Sequence, residues 1–130
     1  MCLLDVVSTW DDGHIVCEAS SHLLTDNPLR QSNHLPVTAG IEYASQAMAA
    51  HGQLRAGDGA PRRGFIGVVD NVQWTQSRLD KSDAKLLVEA ILVEAMPDCS
   101  RYRFHLRYVD DSTESEPIIS GQVMVVLETP

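Results

Sequence analysis

At 130 residues, 44% apolar and 22% charged, the chain has the size and composition of one ordinary globular domain. Its formal net charge of −8 excludes a nucleic-acid surface, which needs clustered cations to displace counterions from phosphate. No stretch approaches the roughly 20 consecutive apolar residues of a membrane span, and Met1-Cys2-Leu3-Leu4-Asp5 lacks a secretory leader's basic start, so the expected location is cytoplasmic.

In chain order, apolar runs at Leu3 to Val7 and His14 to Ala19 flank the turn-forming Trp10-Asp11-Asp12-Gly13, which predicts an opening hairpin. Ser20 to Thr38 is a long polar loop whose Asn27-Pro28 and Leu35-Pro36 steps force extended geometry. Thr38 then reads as an N-cap for a helix to about Leu54, rich in alanine and apolar on most of its circumference, as suits a helix enclosed by other structure. Gly57-Asp58-Gly59-Ala60-Pro61 ends it.

From there the pattern has period two. Ile66, Val68, Asp70, Val72 and Trp74 are expected on one face; Leu86 to Leu92, Tyr102 to Tyr108 and Ile119 to Leu127 form further strands, with turns at Pro97 to Ser100 and Asp110 to Glu116. One buried helix followed by long antiparallel strands is an α+β arrangement in which a curved sheet of five to six strands wraps a central helix, with residues 1–130 as one domain.

Cys2, Cys17 and Cys99 are odd in number and outside any metal-ligand spacing, which predicts idle or buried thiols and neither disulfide nor zinc. His14, His22, His51 and His105 likewise show no ligand spacing and are expected to be structural or solvated. Ser45 and Gln46 have no base beside them, and Asp70 is read as a hydrogen-bonded structural aspartate.

The segment from Gln31 to Gln46, Gln-Ser-Asn-His-Leu-Pro-Val-Thr-Ala-Gly-Ile-Glu-Tyr-Ala-Ser-Gln, resembles the loop-to-helix motif of the hotdog-fold β-hydroxyacyl carrier-protein dehydratases, H-F-P-x-x-P-x-x-P-G with an acid five residues on. Anchored on Gly40, Pro36 matches the second proline and Ala39 replaces the last, while the catalytic His and acid positions fall on Gln31 and Ser45. His34 lies three residues after the former and Glu42 three before the latter, on the same helix face as Ser45. Gly40 to Ala49 is similar more specifically to the divergent dehydratases of aryl polyene biosynthesis, as are Met1 to Asp5, Gly67 to Val72 and Gly121 to Val126. The Pro-His segment those proteins carry before their first strand is missing here.

The resemblance implies a hotdog dehydratase of 3-hydroxyacyl chains carried as thioesters on acyl carrier protein, in fatty-acid or aryl polyene/polyketide-like biosynthesis. It implies no metal or organic cofactor, and a site at the interface of a homodimer, or of a heterodimer with a second hotdog subunit, within a possible higher oligomer. Dehydration needs a base for the α-proton, an acid for the leaving hydroxyl and donors to the thioester oxygen. The candidates are His34 as base, Glu42 as acid and the amides of Gly40 or Ile41 at the helix start, where a glycine lets a thioester approach. An apolar slot along the helix would take the acyl chain. Docking an acidic carrier needs local cations, supplied from Arg62, Arg63, Arg78, Lys81, Lys85, Arg101, Arg103 and Arg107. Two alternatives stay open: a hotdog thioesterase in which Glu42 activates water, and a non-catalytic subunit in which Glu42 is merely an early-helix carboxylate.

Overall fold

A computed structural model describes residues 1–59, 62–111 and 116–128. Strands β1 (Val6–Asp11), β2 (His14–Ala19), β3 (Gly64–Trp74), β4 (Leu86–Ala95), β5 (Cys99–Tyr108) and β6 (Ile119–Leu127) form one antiparallel sheet in the order β1-β2-β4-β5-β6-β3. Helix α1 (Gly40–Ala56) packs across β2, β4 and β5 on its concave face. This is the hotdog arrangement.

The core follows from two periodicities meeting. Alternate residues of β2, β4 and β5 (Ile15, Cys17, Ala19; Leu86, Val88, Ala90; Tyr102, Phe104, Leu106) are buried under Tyr43, Ala44, Ala47 and Met48 of α1. Small helix residues let the sheet curl close. At the crossing with β5 and β6, a Cβ on Gly40 would stand 2.9 Å from Ile119 Cγ2 and 3.2 Å from Leu106 Cδ2, so glycine sets that approach. Gly40 faces the core there, and its missing Cβ serves helix–sheet packing.

Four local expectations also shift. Trp10 and Asp11 belong to β1, because Gly13 N–H and His14 N–H both donate to the Asp11 carboxylate and confine the turn to Asp12-Gly13. A 3-10 turn, Val37–Ala39, capped by Pro36 with extended backbone, precedes α1, so Thr38 lies inside that turn and Ala39 holds the N-cap place of α1. The helix runs two residues past Leu54 and stops at Gly57, whose φ of +57° combined with a ψ of −121° calls for glycine; Ala60 and Pro61 of the predicted break lie outside the described residues, as do residues 112–115 of the predicted last turn. Finally, β3 does not alternate strictly. Bulges between Ile66 and Val68, and between Asp70 and Gln73 where Asn71 has a φ of +52°, shift its register. Ile66, Val69 and Trp74 therefore lie opposite Val125, Val123 and Ile119 on the helix side, while Asp70 pairs with Gln122 on the outer face.

Among the described residues, both edges of the sheet are unpaired. β3 is the longer, with Phe65, Ile66, Val68 and Trp74 all exposed, and an apolar edge of this kind is a template for another strand.

Candidate active site

The loop before α1 is built, not slack. Asn27 donates from Nδ2 to the Tyr43 hydroxyl at 3.1 Å, Tyr43 donates to Ser21 Oγ at 2.7 Å, and Ser21 donates to the Leu3 carbonyl at 2.7 Å. This buried relay ties the loop and the N-terminal segment to the helix. Its direction is fixed because the carbonyl at the end can only accept.

Further along, Asp80 gathers the segment that carries His34. Its carboxylate accepts a forked pair of bonds from Arg78 at 2.9 and 3.0 Å, the Leu35 amide at 3.2 Å and Arg30 at 3.5 Å. The Arg78 bonds, chiefly, hold its carboxyl down at about 2. Gln31 and His34 exchange backbone hydrogen bonds around Ser32, which stands at a φ of +57°. His34 thus sits half-buried on a pinned turn.

Glu42 lies in the first turn of α1, exposed, and among the described residues it has no hydrogen bond or ion pair. Half-buried Ile41 precedes it, while the Gly40 amide already donates to the carbonyls of Val37 and Thr38. One turn beyond Glu42, on the same face, Ser45 opens a cavity of about 790 Å³. It runs beside Met48, Ala49, Gly52 and Ala56 of α1, with Ser100, Tyr102, Val125 and Leu127 as its floor and Gly64 to Ile66 of β3 as its far side. Glu42, His34 and Gly40 are not among its lining residues. The cavity therefore begins at the family's acid position, Ser45, whose hydroxyl is spent on the Ile41 carbonyl at 2.8 Å.

The slot's lining is mixed, with an apolar majority. Ser45, Gln53, Ser100 and Tyr102 offer hydrogen-bonding groups, and Asp12, Arg55, Arg62 and Arg63 bring charge to its helix C-terminal end. Sequence reasoning missed the pair beneath it: His51 is fully buried, with Nδ1 2.7 Å from the Tyr102 hydroxyl and Nε2 2.7 Å from the Asp11 carbonyl. His22 is also buried, bonded through Nε2 to the Ala84 carbonyl. His14 and His105 approach Asp11 and Glu89 at 2.8 and 2.9 Å. Burial drives the Cys17 thiol up to about 11, consistent with an idle thiol. Among the described residues, no group of three or more His, Cys, Asp or Glu could hold a metal ion, and no helix is long and apolar enough to cross a membrane.

A profile of the ApeP-like family, described as ApeP dehydratase, matches residues 1–128. The chain belongs to the ApeP-like dehydratases. This family membership agrees with the resemblance carried by Gly40 to Ala49 and the flanking strands. Curated proteins yield no match. Among solved structures, this ApeP-like chain is similar to the dehydratase heterocomplex ApeI:P from Xenorhabdus doucetiae, with a TM-score of 0.78 at 16% identity over 98% of this chain and 83% of that one. A hypothetical thioesterase from Streptococcus pneumoniae solved with coenzyme A gives 0.67 at 10% identity, covering 95% and 84%. A mutant thioesterase from Pseudomonas aeruginosa gives 0.64 at 11%, covering 93% and 78%. These low identities carry the fold alone.

Proposed function

We propose that this ApeP-like dehydratase removes water from 3-hydroxyacyl chains held as thioesters on an acyl carrier protein, in the assembly of an aryl polyene or related conjugated chain in the cytoplasm. The observation that carries the reading is the family match over nearly the whole chain, joined to a helix whose carboxylate-bearing face leads directly into a cavity of substrate size.

In the proposed chemistry His34 takes the α-proton, Glu42 protonates the departing β-hydroxyl, and the C–O electron pair leaves as water while the α,β double bond forms. The thioester oxygen gains negative charge as the α-proton leaves. Because the Gly40 amide is engaged in the preceding turn, the helix start at Gly40 and Ile41 contributes the positive end of the dipole more than a bond from Gly40 itself.

Glu42 needs cover to work as an acid, since water would outcompete it. A partner's strand added to the β3 edge beside the cavity supplies that cover, and a second hotdog subunit, either a copy of this chain or a distinct one, is the proposed occupant. The ApeI:P complex is a precedent for two unlike subunits.

The test is incubation of the protein, with its partner subunit where it has one, with a 3-hydroxyacyl carrier protein. An enoyl product supports the proposal. Free acid with released thiol would instead mark a thioesterase, and no turnover in the presence of substrate and partner would overturn the enzymatic reading of this chain.

A further inference from the structure

We infer that two copies of this chain pair back to back through the outer face of the sheet, β5 of each lying over β4 of the other, so that with a distinct subunit on each β3 edge the assembly closes at two of each. Only the stoichiometry rests on the edge-paired subunit proposed above; the pairing itself does not depend on the dehydratase reading.

A strand with one wet face alternates apolar with polar residues, whereas a strand covered on both faces reads as a continuous apolar run. β4 reads the second way, because from Leu86 to Val93 the one polar residue is Glu89. Leu86, Val88 and Ala90 are buried under α1, which leaves Leu87 and Ile91 half-buried on the outer face, beside Val16 of β2. The neighbouring β5 turns Arg101, Arg103, His105 and Arg107 outward, since Tyr102, Phe104 and Leu106 face the helix.

Charge settles the occupant and its orientation. On the outer face Glu94, Ile91, Glu89 and Leu87 of β4 stand opposite Arg101, Arg103, His105 and Arg107 of β5, and the boundary between these two strands is the midpoint of the order β1-β2-β4-β5-β6-β3. A two-fold axis along that boundary lays the whole face on its copy with the rows in register. Arg101 then meets Glu94 of the second copy, His105 meets its Glu89, and the methylene stems of Arg103 and Arg107 cover its Ile91 and Leu87. The other two-fold axis in the sheet plane, across the strands, would set β5 on β5 and cation on cation. Within one chain Arg101 reaches Glu94 only at 3.8 Å, with 43% and 50% of their side chains exposed, and a guanidinium has donors enough for a second carboxylate. The opposing superposition, Asp70 over Asp11 of the copy, falls at the corners, where two aligned, twisted sheets part.

Leu87, Ile91 and Val16 supply the gain as they leave water, and the charged rows select the orientation. Six strands about 4.8 Å apart with outward rows about 20 Å long present roughly 600 Å² in plan, and accessible area exceeds plan area, so the face reaches the roughly 800 Å² per side of a stable interface. Symmetry then fixes the stoichiometry. Each chain offers one such face and one β3 edge; a distinct subunit on the edge ends the assembly there, whereas a copy on the edge would repeat both contacts without closing.

The experiment co-expresses two copies of the full chain carrying different affinity tags, with the partner subunit where it has one, purifies through one tag, and reads the second tag and the mass by light scattering at low salt. Both tags are expected in one complex. Glu94→Arg, and separately Arg101→Glu, should remove the second tag and halve the number of copies of this chain per complex, and the two substitutions together should restore both. One copy per complex in the wild type overturns the inference; so does a pairing that either single variant leaves intact, or that the double variant fails to restore. Enoyl formation is not read here, so failure of the dehydratase reading leaves this result standing, and failure here leaves that reading standing.

Discussion

Tyr102 donates its phenolic proton to Nδ1 of His51 across 2.7 Å, and the direction is forced from the other side of the ring. Nε2 of His51 faces the Asp11 carbonyl at 2.7 Å, which can only accept, so Nε2 carries the proton and Nδ1 must accept. The pair joins α1, β5 and the end of β1 beside the cavity.

Acid should loosen this joint. Burial, above all, pushes the His51 pKa below its usual value; the nearby Arg55 and His14 push the same way, and the Asp11 bond opposes them. His22 is depressed for the same leading cause. A histidine whose folded pKa lies below its unfolded value near 6.5 leaves the unfolded chain binding more protons, so its stability contribution is complete above about pH 6.5 and is lost as pH falls towards the folded value. Denaturation midpoints should drop between pH 7 and pH 5, and His51→Leu should flatten part of that slope. A slope unchanged by the substitution would show that His51 titrates alike in the folded and unfolded chain.

Gly40→Ala is a sharper test of packing. Alanine gains roughly 1 kcal/mol of helix propensity over glycine, yet its methyl would meet Ile119 at 2.9 Å inside a close-packed core, and overpacking costs about 1–3 kcal/mol. The net should be destabilising by up to about 2 kcal/mol in chemical denaturation. A stabilised variant would show that Ile119 yields freely and that glycine at this position answers to substrate approach after all.

What could be read from the sequence was what depends on local pattern. The Ala-rich run betrayed α1, period two betrayed β4, β5 and β6, and the glycine-helix string carried the family. Bulges hide from pattern reading: one between Ile66 and Val68 turns Asp70 to the outer face, and a second at Asn71, which adopts a positive φ, precedes the return of Trp74 to the helix side. The cavity's mixed lining was equally hidden, because Ser45, Ser100 and Arg62 come together only through long-range packing. The His51–Tyr102 bond spans 51 residues; the one available sign was that His51 continues the inward face of Ala44, Ala47 and Met48.

The loop that presents His34 depends on Asp80 more than on its own sequence. Asp80→Asn removes the charge that Arg78, Arg30 and the Leu35 amide converge on, and should cost about 1–3 kcal/mol while increasing proteolysis between residues 25 and 36. The Asp80 pKa of about 2 lies below its ordinary 3.8, so this contribution is full above pH 3.8 and fades as pH falls towards 2. The acid limb of the wild type below pH 4 should therefore shrink in Asp80→Asn. If His34 serves the reaction, kcat should fall along with the loop's protection, whereas a protected loop with lost activity would place Asp80 in another role.

The β3 edge supplies the remaining test. Ile66 is 41% exposed, faces the helix side opposite Val125 and lines the cavity at the point where a partner strand would add. A lysine there puts a charge on an edge that otherwise carries Phe65, Val68 and Trp74, the device by which edge strands avoid pairing. In an isolated chain the substitution is cheap, since the side chain already meets water. In an assembly it buries an ammonium against a partner strand. Ile66→Lys should therefore leave the thermal stability of the single chain within about 0.5 kcal/mol of wild type while shifting sedimentation towards monomer or abolishing co-purification of the partner subunit. An assembly that survives Ile66→Lys would move the interface to the β1 edge, where Val6, Val7 and Trp10 are the exposed apolar residues.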